Sequence, residues 1–136
     1  MNMGEELEVT SESYLDMATA ISGSGPAYIY LLTESLVDAA VHLGLTRDIA
    51  AKLVLHTIRG SIGLAMKPND TEKHHRDLHL LRYDVTSPGG TTASALYELE
   101  RGNFRTVMSD AVWAAYRRSL ELGEVNSNIG PGRNKF

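Results

Sequence analysis

Asp84-Val85-Thr86-Ser87-Pro88-Gly89-Gly90-Thr91-Thr92 gathers hydroxyls around a Pro-Gly-Gly step. Proline removes an N–H donor and paired glycines permit positive φ, so the chain must leave regular structure there. A helical pattern follows, with Thr91 or Thr92 placed to cap it. Free N–H groups at a helix start, joined by hydroxyls, suit a carboxylate or a phosphate. Taken alone, the same residues also read as an ordinary loop and cap.

A second segment, Ser22-Gly23-Ser24-Gly25-Pro26-Ala27, is also a small-residue entry into a helix. It is not a dinucleotide fingerprint, because the third glycine is missing and no strand precedes it. Its N–H groups could face a ligand, with Ser22 and Ser24 adding hydroxyls; a tight turn is the plainer reading. His74, His75 and His79 crowd one stretch, and His75 and His79 stand i, i+4. That spacing could share a metal on one helix face, yet no H-E-x-x-H arrangement or cysteine supports it. A solvated polar helix is the stronger reading, and no metal site is expected. His42 and His56 lie within apolar helices and read as packed or hydrogen-bonded. No Ser/His/Asp set or carboxylate pair stands out, so any chemistry here rests on positioning a substrate rather than on a nucleophile.

The elements that must hold these segments read as helices throughout. Alternation is never sustained, so no strand is expected, and there is no internal repeat. Ser11 or Ser13 could cap a short helix carrying Tyr14, Leu15, Met17, Ala18 and Ile21, broken at Ser22–Gly25. Pro26 opens the next helix, over residues 26–43, with Gly44 ending it. That helix is apolar around most of its circumference, which demands burial nearly all round. In so short a chain this points to a central helix or one enclosed by a partner. Thr46 caps a third helix with Asp48 in its first turn, and Gly60 and Gly63 within it predict close helix contact. Residues 71–82 form a short polar helix, residues 92–101 another, and residues 104–122 the last long one, with Gly123 as its stop. Arg117 and Arg118 read as a solvated helix end that complements the dipole.

At 136 residues the chain suits one domain. A formal net charge of −4 gives no nucleic-acid footprint. The absence of cysteine excludes disulfides, thiolate metal sites and a cysteine nucleophile, and fits a cytoplasmic protein. No apolar run is long enough to span a membrane. Residues 1–10 read as an acidic tail or linker remnant without a signal-peptide core, residues 11–123 as the helical domain, and residues 124–136 as a disordered tail.

Three segments together resemble the C-terminal domain of pyrroline-5-carboxylate reductases. They are the stretch from Ala18 to Tyr28, the Asp84–Thr92 loop, and Phe104-Arg105-Thr106-Val107-Met108-Ser109-Asp110-Ala111-Val112-Trp113-Ala114-Ala115. The similarity spans about Leu15 to Gly123. The resemblance implies the last step of proline biosynthesis, reduction of 1-pyrroline-5-carboxylate to L-proline with NADP or NAD as the cofactor pair. It implies an all-α helical-bundle dimerisation domain, interlocked with a second copy, in homodimers that assemble further. It places the substrate carboxylate on Ser87, Gly89, Gly90 and Thr91, and puts Thr92 near the ring nitrogen as the catalytic hydroxyl. Ser24, Gly25, Pro26 and Ala27 would line the pocket near the nicotinamide. Hydride transfer to an imine needs positioning and an electrophilic carbon, and no nucleophile.

Two departures stand out. The family's stretch before the signature loop is shorter, often with Glu-His-Pro, whereas here Asp70–Tyr83 has no proline; Glu72 is the loose counterpart of the family's acidic pocket residue. The family also begins with a Rossmann domain, and these 136 residues contain none, so alone they should be inactive. That absence motivates the competing expectation of a non-catalytic helical dimerisation or interaction module.

Overall fold

The computed structural model describes residues 11–68 and 75–133. Among them every regular element is helical: α1 (Glu12–Ala18), a π-helical turn (Thr19–Gly23), α2 (Gly25–His42), α3 (Arg47–Ala65), α4 (Leu78–Asp84), α5 (Thr91–Arg101) and α6 (Phe104–Leu122). The all-α expectation holds. The chain divides into two compact units, one taking the chain up to Tyr28 and from Phe104 onward, the other Ile29–Asn103.

In the first unit, α1, the π turn and α6 pack together. Ala20, Tyr116 and Leu120 form its buried core, with Val112, Trp113, Ala115 and Ile129 against them. Trp113 and Tyr116 meet as tilted rings with centroids 5.8 Å apart. Ser119 on α6 donates a hydrogen bond to the Asp16 carboxylate on α1. The first helix breaks at Ser24, within the expected Ser22–Gly25 stretch. It reaches that point through the π turn, where the Ser24 N–H meets the Thr19 carbonyl at 2.9 Å. Ser11 stands at the N-cap of α1 without capping through its side chain.

α6 ends at Leu122, just before Gly123, as expected. Gly123 is not the left-handed residue; Glu124 is, at φ +57°. The Val125 N–H bonds the Leu120 carbonyl at 2.8 Å and the Glu124 N–H bonds the Glu121 carbonyl at 3.1 Å, the Schellman arrangement. Residues 124–133, read from composition as a disordered tail, instead fold back on α6. Arg117 does this: its Nε and Nη2 donate to the carbonyls of Ile129 and Pro131, at 2.9 and 2.7 Å. Its guanidinium also lies 5.4 Å from the Trp113 ring centroid. Arg117 is therefore a clasp rather than a solvated helix end, whereas Arg118 pairs with Glu121.

In the second unit, α2 closes on Gly44 at φ +116°. The Leu45 N–H bonds the Ala40 carbonyl and the Gly44 N–H bonds the Val41 carbonyl. Thr46 caps α3, accepting from the Ile49 N–H at 3.4 Å, and Arg47 bridges back to Asp38. Burial is sparse: Val37, Ala50 and Ala65 only, among the described residues. The expectation that α2 is buried nearly all round fails for the single chain, since Leu31 is 65% exposed and Leu36 44%. A Cβ at Gly60 or Gly63 would meet nothing within 4 Å, so the close helix contact read from those glycines is not made among the described residues.

α4 starts later than expected. Asp77 caps it by accepting from the His79 and Leu80 N–H groups, and it runs on to Asp84. His75 precedes the helix and its Nδ1 lies 2.9 Å from the Arg76 carbonyl oxygen, so His75 and His79 do not share a helix face. Glu72 and His74 lie outside the described residues.

Candidate functional site

Ser87, Gly89, Gly90, Thr91 and Thr92 come together at one corner of the second unit. Thr86 closes α4, its Oγ1 donating to the Arg82 carbonyl at 2.6 Å. Ser87-Pro88-Gly89-Gly90 then forms a β-turn, with the Gly90 N–H on the Ser87 carbonyl at 3.0 Å. Proline at the second position and Gly89 at φ +68° make it type II. Gly90 is required for a different reason. Its φ is ordinary, but a Cβ there would lie 3.2 Å from the Ser87 carbonyl oxygen and 3.4 Å from Ser87 Cβ.

Gly90, not Thr91 or Thr92, is the N-cap of α5. Having no side chain, it leaves the first-turn donors open. The first helical bond comes only at Ser94, whose N–H reaches the Gly90 carbonyl at 3.2 Å. No hydrogen bond among the described residues engages the Thr91, Thr92 or Ala93 N–H groups, or the hydroxyls of Ser87, Thr91 and Thr92. Elsewhere the helix hydroxyls are consumed locally: Thr19, Ser22, Thr33, Ser35 and Thr57 each donate to a carbonyl four residues back. Thr91 and Thr92 escape that fate because no helical carbonyl lies four residues before them. The corner therefore presents amide and hydroxyl donors at the positive end of an 11-residue helix. Thr92 is half-buried and Thr91 exposed.

Ser24, Gly25, Pro26 and Ala27 sit at the junction of the π turn and α2, in the first unit apart from Ile29 onward. Here the backbone is less generous. Pro26 has no N–H, and the Ala27 N–H is already bonded to the Ser24 carbonyl at 3.1 Å. The Ser22 hydroxyl is spent on the Ala18 carbonyl at 2.8 Å. What the junction offers is the small, exposed surface of Pro26 and Ala27 and the hydroxyl of half-buried Ser24. Gly25 has open space where a Cβ would stand. Such a surface can pack a flat ring closely, but it lacks the row of donors a pyrophosphate needs.

Tyr28 ties this junction to the π turn. The Tyr28 hydroxyl donates to the Ala20 carbonyl at 2.9 Å, spanning eight residues. The only signal for it is that a half-buried tyrosine tip needs a partner. No three His, Asp or Glu side chains among the described residues gather to hold a metal, and no helix is long and apolar enough to cross a membrane.

Residues 12–122 match the model of a family described as pyrroline-5-carboxylate reductase dimerisation. The chain belongs to this family. It is 47% identical over 122 residues to a pyrroline-5-carboxylate reductase of Mycobacterium leprae, covering 82% of this chain and 42% of that protein. The enzyme of the same name from Glycine max is 47% identical over 111 residues, covering 82% and 38%. Among solved structures, a Plasmodium falciparum pyrroline carboxylate reductase with NADP bound is 44% identical with a TM-score of 0.76, covering 83% of this chain and 41% of that one. A pyrroline-5-carboxylate reductase of Coxiella burnetii is 42% identical with a TM-score of 0.77, covering 84% and 40%. The chain thus spans about two fifths of the length of the relatives it matches.

Proposed function

We propose that these residues form the substrate-binding and dimer-forming part of a pyrroline-5-carboxylate reductase, which reduces 1-pyrroline-5-carboxylate to L-proline in the cytoplasm. The observation that carries this is the Ser87–Thr92 corner. A type II turn with two glycines needed for different reasons delivers an uncapped helix start with free amides and hydroxyls. The substrate has one carboxylate and one ring nitrogen, and the corner supplies donors for the first and a hydroxyl for the second.

Ser87, Gly89, Gly90 and Thr91 hold the carboxylate. Charge-assisted bonds from backbone N–H groups are short and strong, and the α5 dipole adds to them. The Thr92 hydroxyl sits at the ring nitrogen, where it accepts from a protonated imine and so favours its more electrophilic form. After reduction the same oxygen bonds the product amine. Ser24, Gly25, Pro26 and Ala27 line the nicotinamide side. Their open, nearly donor-free surface fits the ring end of a dinucleotide and not its phosphates. When bound, NADPH or NADH supplies the hydride. The donors for its pyrophosphate then belong to the portion of the relatives that these residues do not match, so the 136 residues alone are inactive.

The apolar surface of α2 is covered by a second copy, giving an interlocked homodimer that can assemble further. Light scattering should find at least a dimer at micromolar concentration; a clean monomer overturns this part. In a reductase containing these residues, Thr92→Ala should lower kcat/KM by about 100-fold, the usual scale for losing one well-placed polar group at a reacting centre. An unchanged rate removes Thr92 from the site.

A further inference from the structure

We infer that Tyr28 is a positioning residue for the Ser24–Ala27 junction, acting through the Ala20 carbonyl. The inference rests on the reductase reading above and deepens it at the nicotinamide side of the same site.

A one-turn π-helix widens the backbone ring and shifts its hydrogen bonds by one residue. Here the Ser24 N–H, which would meet Ala20 in an α-helix, goes to Thr19 instead at 2.9 Å. The Ala20 carbonyl is thereby released, and Ala20 is only 1% exposed, too buried for water to satisfy it. The Tyr28 hydroxyl takes that place at 2.9 Å. Tyr28 stands in the first turn of α2, directly after Ala27. Its side chain reaches back across the junction and ties the entry of α2 to the π turn it has just left.

The covalent path and this bond together form a closed loop around Ser22–Ala27. Without the phenol, the junction is held by Ser24 to Thr19 on one side and Ala27 to Ser24 on the other, with two glycines between. Those bonds fix neighbouring residues to each other but do not fix the first turn of α2 against the π turn. The Tyr28 bond does. Because Pro26 and Ala27 offer shape rather than donors, their contribution to a ring-packing surface depends on where the backbone stands.

The test is Tyr28→Phe, which keeps the ring and removes only the hydroxyl, in the full-length reductase. The expected result is a rise in KM for the nicotinamide cofactor of roughly fivefold, the scale of one hydrogen bond. KM for the pyrroline substrate and kcat should stay within about twofold. Amide hydrogen exchange at Ser24 and Ala27 should quicken in the variant, while α5 amides do not change. Equal losses in every kinetic constant, or an unchanged cofactor KM with full activity, overturn the role of Tyr28 and leave the reductase reading intact. A wild-type parent that cannot reduce the pyrroline overturns that reading, and the role of Tyr28 with it. If Tyr28→Phe is poorly folded, Tyr28→Leu compared with Ala20→Gly decides. Leucine should reproduce the cofactor KM effect and Ala20→Gly, which keeps the accepting carbonyl, should not; the reverse pattern overturns the proposal.

Discussion

The two units differ in how their buried residues are gathered: only the first joins them into one cluster. The first covers its core with its own chain. Ala20, Tyr116 and Leu120 lie beneath α1 and the π turn, and the segment after α6 folds back under the grip of Arg117. The second strings α2, α3, α4 and α5 together with large apolar side chains left in the open, among them Ile29, Leu31, Leu53, Ile62 and Tyr97. Fully burying a leucine or isoleucine is worth about 1.5–3 kcal/mol, so a row of them left exposed is a demand for another surface. The first unit has a small core of its own, and both units leave apolar side chains in the open that the proposed second copy would cover.

The sharpest way to break that comparison is a charge on the open face of α2. Leu31 is 65% exposed in the single chain, so Leu31→Asp should cost it little as a monomer. If the face is the covered one, the same change should weaken dimerisation by about 100-fold, the scale of a central interface residue. Sedimentation equilibrium reads this directly, and an unaltered dimer would show that another face is the one covered.

A smaller contrast sets the two glycine corners against each other. Gly89 stands at φ +68° and Gly25 at an ordinary φ with open space around it. Gly89→Ala should destabilise the fold by about 1 kcal/mol and weaken binding of the product carboxylate. Gly25→Ala should instead stabilise by about 0.5 kcal/mol through the unfolded chain. Thermal midpoints that move the same way in both variants would contradict the geometry of the turn.

The smallest effect concerns the first unit. Glu124 occupies a left-handed position that glycine takes without strain, so Glu124→Gly should raise stability by up to about 1 kcal/mol. A midpoint that falls would mean the Glu124 side chain contributes something the backbone account omits.

Much of the architecture was legible because it depends on local chemistry. The bounds of α6 follow from Gly102-Asn103 and the run of apolar positions after Phe104. The cap at Thr46 and the left-handed Gly44 follow from residue type alone. The misses share a cause: each depends on which of several suitable groups wins. Asp77 sets the start of α4 because its carboxylate reaches two N–H groups at once. Gly90 displaced Thr91 and Thr92 as the cap of α5 because the type II turn already fixes the chain there. The π turn has no periodic signature, since a single i to i+5 bond leaves the apolar spacing almost unchanged. The fold-back of residues 124–133 was hidden by a Gly/Asn-rich composition. Its anchor, Arg117, lies in the preceding helix and looked like an ordinary helix-end cation.

That fold-back leaves the molecule with a built-in optical asymmetry. Trp113 is the only tryptophan in the chain; the Arg117 guanidinium lies over its ring and Gly130 against it, where a Cβ would fall 2.5 Å from the ring. Its emission therefore responds to release of the C-terminal segment. Ile29–Asn103 contains no indole at all. Loss of those helices registers in far-ultraviolet circular dichroism, and no indole within them reports it directly. Two signals followed in one denaturation would then set the C-terminal fold-back apart from the helices of Ile29–Asn103.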